Sequence, residues 1–408
     1  MNSAAPSNIF ITGATGFVGG AVALEYLLRT DATLHCLVRA ESKDGARARI
    51  AQALSVAARA FGHDAALPLI KERVHPVCGD LTSDYQDFDG LPASIDLVLH
   101  AAASLKYADR DVEEIRHINV AGTANIVRLA QGRGAGRLCY VSTAYVAGTR
   151  TGPVAEQLVA LESNPLNNQY ERSKVDAEQL VAAAGIPYQV VRPSIVIGHS
   201  QTYAATSFSG MYGMLDEILR FKRKVAEKLG HLLRHRGIAL LAEPATEVNL
   251  IPIDHVARAI SEISTSASDG AVFHVVNGTP PKAGDCLKVA FELVGLPEPR
   301  FVGLPTQLSD LDRKLHTEFY DSYLRNGKSF TANNAHSVCG PASLDFPIDE
   351  TTLERFLLWY LQSGNRRGRR LAQTRGTSAE QPPSVLRASQ QPGNASTVKP
   401  MPRGFPTK

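Results

Sequence analysis

In NNQYERSKVDAEQLV (167–181), a tyrosine stands four residues ahead of a lysine. Helical spacing sets Tyr170 and Lys174 on one face. Reducing a carbonyl builds alkoxide charge that must receive a proton. Free tyrosine, with a pKa of about 10, delivers one poorly at neutral pH, and an ammonium beside it favours the phenolate and lowers that value. Tyr and Lys fall four apart in many helices by chance, so the pair takes its weight from the rest of the chain. Upstream, the apolar run LCYVSTAYVAG brings two hydroxyls, Ser142 and Thr143, to the end of a strand-like segment. There Thr143 can orient a substrate oxygen, and Lys174 can also hold a ribose.

The elements that must position these groups begin at the N-terminus. NIFITGATGFVGGAVALEYLL runs a β-type segment into Gly13-Ala14-Thr15-Gly16-Phe17-Val18-Gly19 and leaves as a helix. This GxxGxxG spacing permits a tight turn at Gly13, close approach of a diphosphate at Gly16 and close helix packing at Gly19. Thr15, Phe17 and Val18 share the turn, where the first N–H groups of the helix and its dipole favour phosphate charge. The next strand-like run, LHCLVRAES, ends in Arg39, about 20 residues beyond the glycines. A carboxylate there would bind a ribose 2′-hydroxyl, whereas a guanidinium suits a 2′-phosphate and so NADPH. Asp80 and Leu81 in GDL follow a third strand, with Asp80 placed to meet an adenine amino group. Ala101 and Ala102 in HAAAS follow a fourth and leave room for a cofactor against the backbone.

Six strand-like runs (8–12, 34–38, 74–77, 97–101, 137–142 and 188–191) alternate with helical patterns over 18–28, 112–130 and 170–184. Such alternation builds a parallel sheet with helices on both faces. The expected fold is α/β: a Rossmann doubly wound parallel sheet with a smaller, mainly helical C-terminal substrate-binding lobe. Its NADP-binding domain spans 1–198, a helical lid or substrate insertion 199–248, a return to the core 249–278, and a substrate lobe 279–364. A helix, or a broken pair, is expected over 211–236, with Leu215, Ile218, Leu219 and Val225 on one face and Arg220, Lys222, Arg223 and Lys224 on the other. Residues 365–408 hold nine of the 43 basic residues and one of the 40 acids, which leaves the body net negative. This segment reads as a disordered basic tail, and the body carries no general signal for nucleic acid. The five cysteines are scattered, with no ligand spacing for a metal and no disulfide framework. The start lacks the charged and apolar regions of a signal peptide, and no apolar run approaches the roughly 20 residues that span a bilayer. A cytoplasmic protein is the expectation. Oligomeric state has no signature.

In order, TGATGFVGG, GDL, HAAAS, INVAGT, VSTAYV, YERSK and RPSIVIG resemble the motifs of extended short-chain dehydrogenases/reductases, over about residues 8 to 260. The resemblance implies a Thr143, Tyr170 and Lys174 triad, a supporting Asn119 behind the lysine, and Pro193 and Ile195 beside the cofactor. Ser142 is the alternative hydroxyl. VLHAAASLKYADRDVEEIRHINVAGTANIVRLA and YDSYLRNGKSFTANNAH are most similar to fatty acyl-CoA reductases and carrier-protein thioester reductases. That likeness implies reduction of an acyl thioester, on CoA or a carrier protein, to an aldehyde and onward to an alcohol if a second NADPH acts. Lys106, Tyr107 and His199 are candidate substrate residues. Many relatives have an acid where His199 stands and a glycine where Tyr203 stands. Two alternatives stay open. One is a ketone reductase or nucleotide-sugar epimerase, whose tyrosine-glycine ending after the hydroxyl run is replaced here by Ala147 in YVAG. The other is a non-catalytic NADP(H)-sensing regulator, a class that typically loses the tyrosine or lysine retained here.

Overall fold

The computed structural model describes residues 6–159, 165–229, 236–315 and 323–364. The expected tail over 365–408 and the stretch 230–235 of the expected 211–236 helix lie outside the described residues. Strand β1 (Asn8–Thr12) leads through the glycine turn into α1 (Phe17–Arg29), followed by β2 (Thr33–Val38), α2 (Lys43–Phe61), α3 (Ala66–Arg73), β3 (Val74–Cys78) and β4 (Leu97–His100). After α4 (Val112–Arg116), α5 (Gly122–Gly132), β5 (Leu138–Val141) and the short β6 (Gly152–Val154) come α6 (Gln169–Ala182) and β7 (Tyr188–Pro193).

Seven strands form one sheet in the order β11–β7–β5–β4–β1–β2–β3, where β11 is Ala271–Val275, and every pairing is parallel. Ile9 pairs with Leu34 on one side and Leu97 on the other. The strand order reverses at β1, so the crevice beyond the carboxyl ends of β1 and β4 is where such a sheet takes a ligand. Ile9, Phe10, Ile11, Leu97, Val98 and Leu99 are buried, because helices cover both faces of a parallel sheet and leave no polar alternation along its strands. Between α4 and α5 the chain stays helical, but His117–Ala121 forms a single π-helical turn. The expected uninterrupted helix over 112–130 therefore carries a bulge at Asn119, a device often found at functional sites.

β8 (Ile195–Ile197) pairs with β10 (Leu250–Pro252), and α7 (Met211–Leu229) lies between them in the chain, after which α8 (Ile253–Thr265) returns to the sheet. Leu215, Ile218, Leu219 and Val225 of α7 enter a second core with Leu287 and Phe291 of α9 (Ala283–Leu293), and with Phe356 and Leu357 of the helix Glu350–Trp359. Two short parallel pairs were not legible in the sequence. They are β9 (Ala239–Leu241) with β12 (Arg300–Val302), and β13 (Lys328–Phe330) with β6. The second pair brings the C-terminal segment back beside the chain between β5 and α6. No helix among the described residues is long and apolar enough to cross a membrane.

Candidate active site

Gly13 adopts φ of +78°, and a Cβ there would lie 2.7 Å from the Ala101 carbonyl carbon and the Ala102 nitrogen. A side chain is excluded twice, by conformation and by space. A Cβ at Gly19 would strike the Gly13 carbonyl. Gly16 caps α1 without a side chain, so the first N–H groups of that helix remain available to a ligand. The loop opens on a cavity of about 820 Å³ that runs past the ends of β1, β4 and β5 to α6 and the second lobe. It presents what a dinucleotide needs: a diphosphate cradle with no side chains in the way.

Of the sequence-derived residues, Gly13, Thr15, Gly16, Phe17, Val18, Gly19, Arg39, Asp80, Leu81, Ala101 and Ala102 line this cavity. So do Tyr107, Ser142, Thr143, Tyr170, Lys174, Pro193 and Ile195. Arg39 is well exposed and lies 3.7 Å from Asp80. Burial opposes the Asp80 charge, yet hydrogen bonds from the Thr82 backbone and hydroxyl, together with Arg39, hold its carboxyl below the usual range. The sequence reading missed Arg49, which lines the same end and donates to the Arg39 carbonyl at 2.7 Å.

Three of the expected residues do not line the cavity. Asn119 is buried beside it. It accepts from the Ser104 backbone at 2.7 Å and donates to Ser173, next to Lys174, at 2.9 Å, so the bulge places it as a brace between the segment after β4 and α6. Lys106 turns away to Glu114 at 2.6 Å and Asp111 at 3.5 Å, because an exposed ammonium finds carboxylates on the next helix. His199 stacks on Phe61 and accepts from the Gln201 backbone through Nδ1, shaping its own loop. Burial lowers its pKa. Ser142 reaches the cavity, but its hydroxyl donates to Glu178 at 2.5 Å, which leaves Thr143 as the hydroxyl with a proton to offer. Thr143 accepts from the Tyr145 backbone at 3.2 Å.

Lys174 is almost wholly buried. Its Nζ donates to the Val141 carbonyl at 2.7 Å and sits 4.3 Å over the Tyr140 ring. Burial pushes its pKa down to about 7, against the pull of Glu178. Burial, followed by the charge of Glu171, raises the Tyr170 pKa well above its ordinary value. This corrects the expectation of an acidified phenol, since burial and Glu171 both act upward. Tyr170 is thus a protonated donor, and its hydroxyl has no hydrogen-bond partner among the described residues. Beneath the pair, His100 is fully buried, with Nδ1 2.6 Å from the Thr12 hydroxyl and Nε2 2.9 Å from that of Thr123. Thr123 spends its proton on the Asn119 carbonyl, so His100 must donate from Nε2 and accept at Nδ1. Burial lowers its pKa to about 3, with Lys174 acting in the same direction.

Tyr203 is the described non-glycine residue with positive φ, at +59°. Its strain is held by the Phe356 ring at 5.0 Å and by Arg355, which donates to its hydroxyl at 3.1 Å.

Residues 11–260 match the profile of a family described as Male sterility protein. Among curated proteins, a linear gramicidin synthase protein of Brevibacillus parabrevis is 27% identical over 288 residues, covering 67% of this chain and 5% of that protein. Aldehyde reductase lnaA of Aspergillus flavus is 27% identical over 399 residues, covering 87% of this chain and 36% of that protein. The chain therefore spans well under two thirds of these relatives. The crystal structure of the terminal R domain from the myxalamid PKS-NRPS biosynthetic pathway shares the fold. Its TM-score is 0.68 at 24% identity, covering 89% of this chain and 92% of that one.

Proposed function

The chain belongs to the male sterility protein family of extended short-chain dehydrogenases/reductases and is an NAD(P)-dependent oxidoreductase, and from this premise we propose that it reduces an acyl thioester, carried on CoA or a carrier protein, to an aldehyde with NADPH. The observation that carries the reading is one cavity joining the glycine cradle, the Arg39 and Arg49 guanidiniums, and Thr143, Tyr170 and Lys174. A solved thiolation-reductase di-domain from an archaeal non-ribosomal peptide synthetase, sharing the fold at a TM-score of 0.67, adds support for a carrier-borne substrate.

When bound, NADPH supplies the hydride that reaches the thioester carbonyl carbon. The chain does the rest. Thr143 donates a hydrogen bond to the carbonyl oxygen, and Tyr170 gives that oxygen its proton as negative charge builds there. Lys174, held by Val141, stabilises the charge left on the tyrosine. The resulting thiohemiacetal expels a thiol as the carbonyl re-forms, leaving an aldehyde. Apolar groups from the second lobe, Met211, Met214, Leu250 and Cys286, line the same cavity and suit an uncharged acyl chain. Arg223 and Lys224 lie exposed on α7 and suit an acidic carrier or CoA phosphates, whereas Lys222 is occupied by the Val294 carbonyl.

The direct test is NADPH consumption across acyl-CoAs, acyl-carriers and aldehydes, with products identified by mass. An aldehyde product from a thioester supports the reading. Stoichiometric NAD retained by the purified protein, without thioester turnover, would transfer the assignment to an epimerase-like reaction. Cofactor choice has its own check. Replacing Arg39 and Arg49 together by alanine should weaken NADPH binding about tenfold or more, the scale of hydrogen bonds to charged groups, and leave NADH binding unchanged. Equal loss for both cofactors in titration calorimetry would remove the 2′-phosphate role.

A further inference from the structure

Glu171 follows the donor tyrosine in the chain and is fully buried in the first turn of α6. A buried carboxylate is costly unless its oxygens are satisfied. Here the Asn167 backbone donates to Oε2 at 2.7 Å and the Asn167 amide donates to both oxygens at 3.0 Å. The Tyr323 hydroxyl donates to Oε1 at 2.8 Å. That hydroxyl also accepts from Asn168 at 3.2 Å, and the Asn168 side chain caps α6 by accepting from the Glu171 backbone. A single residue 152 positions away therefore touches both the cap and the first turn of the helix that carries Tyr170 and Lys174.

The contact reaches the cavity as well. The Tyr323 and Tyr145 rings meet in an edge-to-face arrangement with centroids 4.9 Å apart, and both line the cavity with Thr143 and Tyr170. Lys328 continues the same segment. It is buried, donates to the Gly148 carbonyl, and starts β13 against β6. The titratable groups that feel Glu171 are Tyr145, Tyr170, Tyr323 and Lys328. No ion pair reaches Glu171 among the described residues.

We propose that the Glu171–Tyr323 contact is a positioning device for the reduction, in which the C-terminal segment grips the capped first turn of α6 and fixes where the Tyr170 phenol points. This inference rests on Tyr170 being the proton donor of the proposed reaction. An apolar pair could fill the same space, but it would not bind donors from two distant segments at once.

The experiment compares wild type with Tyr323→Phe, Glu171→Ala and Glu171→Gln in NADPH-driven reduction of an acyl-CoA and of an aliphatic aldehyde. KM, NADPH affinity and melting temperature are measured alongside. Misplacing a reacting group by about 1 Å can cost on the order of 100-fold, so Glu171→Ala should lower kcat about 10- to 100-fold with KM and NADPH affinity within about threefold. Glu171→Gln keeps an acceptor for Tyr323 and should recover most of the loss. Tyr323→Phe keeps the ring on Tyr145 and removes only the hydroxyl; it should fall between the two, with faster amide exchange over 167–172. If Glu171→Ala does not fold, Tyr323→Phe carries the test. Unchanged kcat in folded variants that merely melt earlier would overturn the proposal and leave a structural contact. If wild type reduces the aldehyde but no thioester, the substrate assignment fails, while the aldehyde kcat series still decides the positioning role. If wild type reduces neither, the assigned reaction falls and takes the proposal with it.

Discussion

Tyr170→Phe should abolish reduction while leaving cofactor binding intact. The substitution removes one oxygen from a group whose hydroxyl has no partner among the described residues, so nothing else in the site is left unsatisfied. Positioned proton transfer contributes typically about 10²- to 10⁴-fold, and kcat should fall by that amount with NADPH affinity within about threefold. Stopped-flow NADPH oxidation paired with fluorescence titration reads both quantities. Unchanged turnover would remove the proton role from Tyr170 and leave Thr143 as the one hydroxyl able to serve the substrate oxygen.

The same site has a defined pH response. Burial against Val141 and Tyr140 pushes the Lys174 pKa down to about 7. The lysine ammonium is the form that stabilises charge on the phenol oxygen, and that form is present below this value and lost as pH rises through it. Because kcat/KM reports groups of the free enzyme, it should decline above about pH 7 while the Tyr170 phenol is still protonated. A kcat/KM that stays level to pH 9 would show that the ammonium persists to that pH and would overturn the downward shift of Lys174.

How much of this was legible before the structure depended on how local each cause is. The glycine loop could be read because its demands are confined to a few residues: positive φ at Gly13 and the absence of a Cβ at Gly19. Tyr170 and Lys174 could be paired because helical spacing alone puts them together. The direction of the Tyr170 shift could not, since it follows from how deeply the phenol is enclosed, and enclosure is set by strands and helices far away in the chain. Lys106 and His199 sit next to recognisable motifs, yet their side chains answer to Glu114 and to Phe61 on α2. Arg49 and Tyr323 arrive at the cavity only when α2 and the C-terminal segment fold back, so neither had a spacing to reveal it. Tyr203, flagged as a departure from glycine, has the backbone conformation that a glycine would take freely. Its strain is held by residues about 150 positions later, Phe356 and Arg355.

Glu178→Ala should be the most destabilising single change near the site. Glu178 and Arg192 are both completely buried and paired, at 2.7 Å through one guanidinium nitrogen and 2.9 Å through another. Ser142 donates to the same carboxylate, and His274 lies 3.3 Å from the remaining arm of Arg192. Removing Glu178 strands a guanidinium that cannot give up its proton, and breaking a buried pair in this way costs about 3–5 kcal/mol. It also withdraws the charge that supports the Lys174 ammonium, so the alkaline decline of kcat/KM should move to lower pH in any folded fraction. The double variant Glu178→Leu with Arg192→Met separates the two effects. Filling the space with apolar groups should restore most of the stability, while the pH limb stays shifted because the carboxylate is still missing. Denaturant unfolding of the single and double variants reads the first quantity and a pH series the second. A single-variant loss below about 1 kcal/mol would put the pair in the range of solvent-exposed ion pairs and contradict its complete burial.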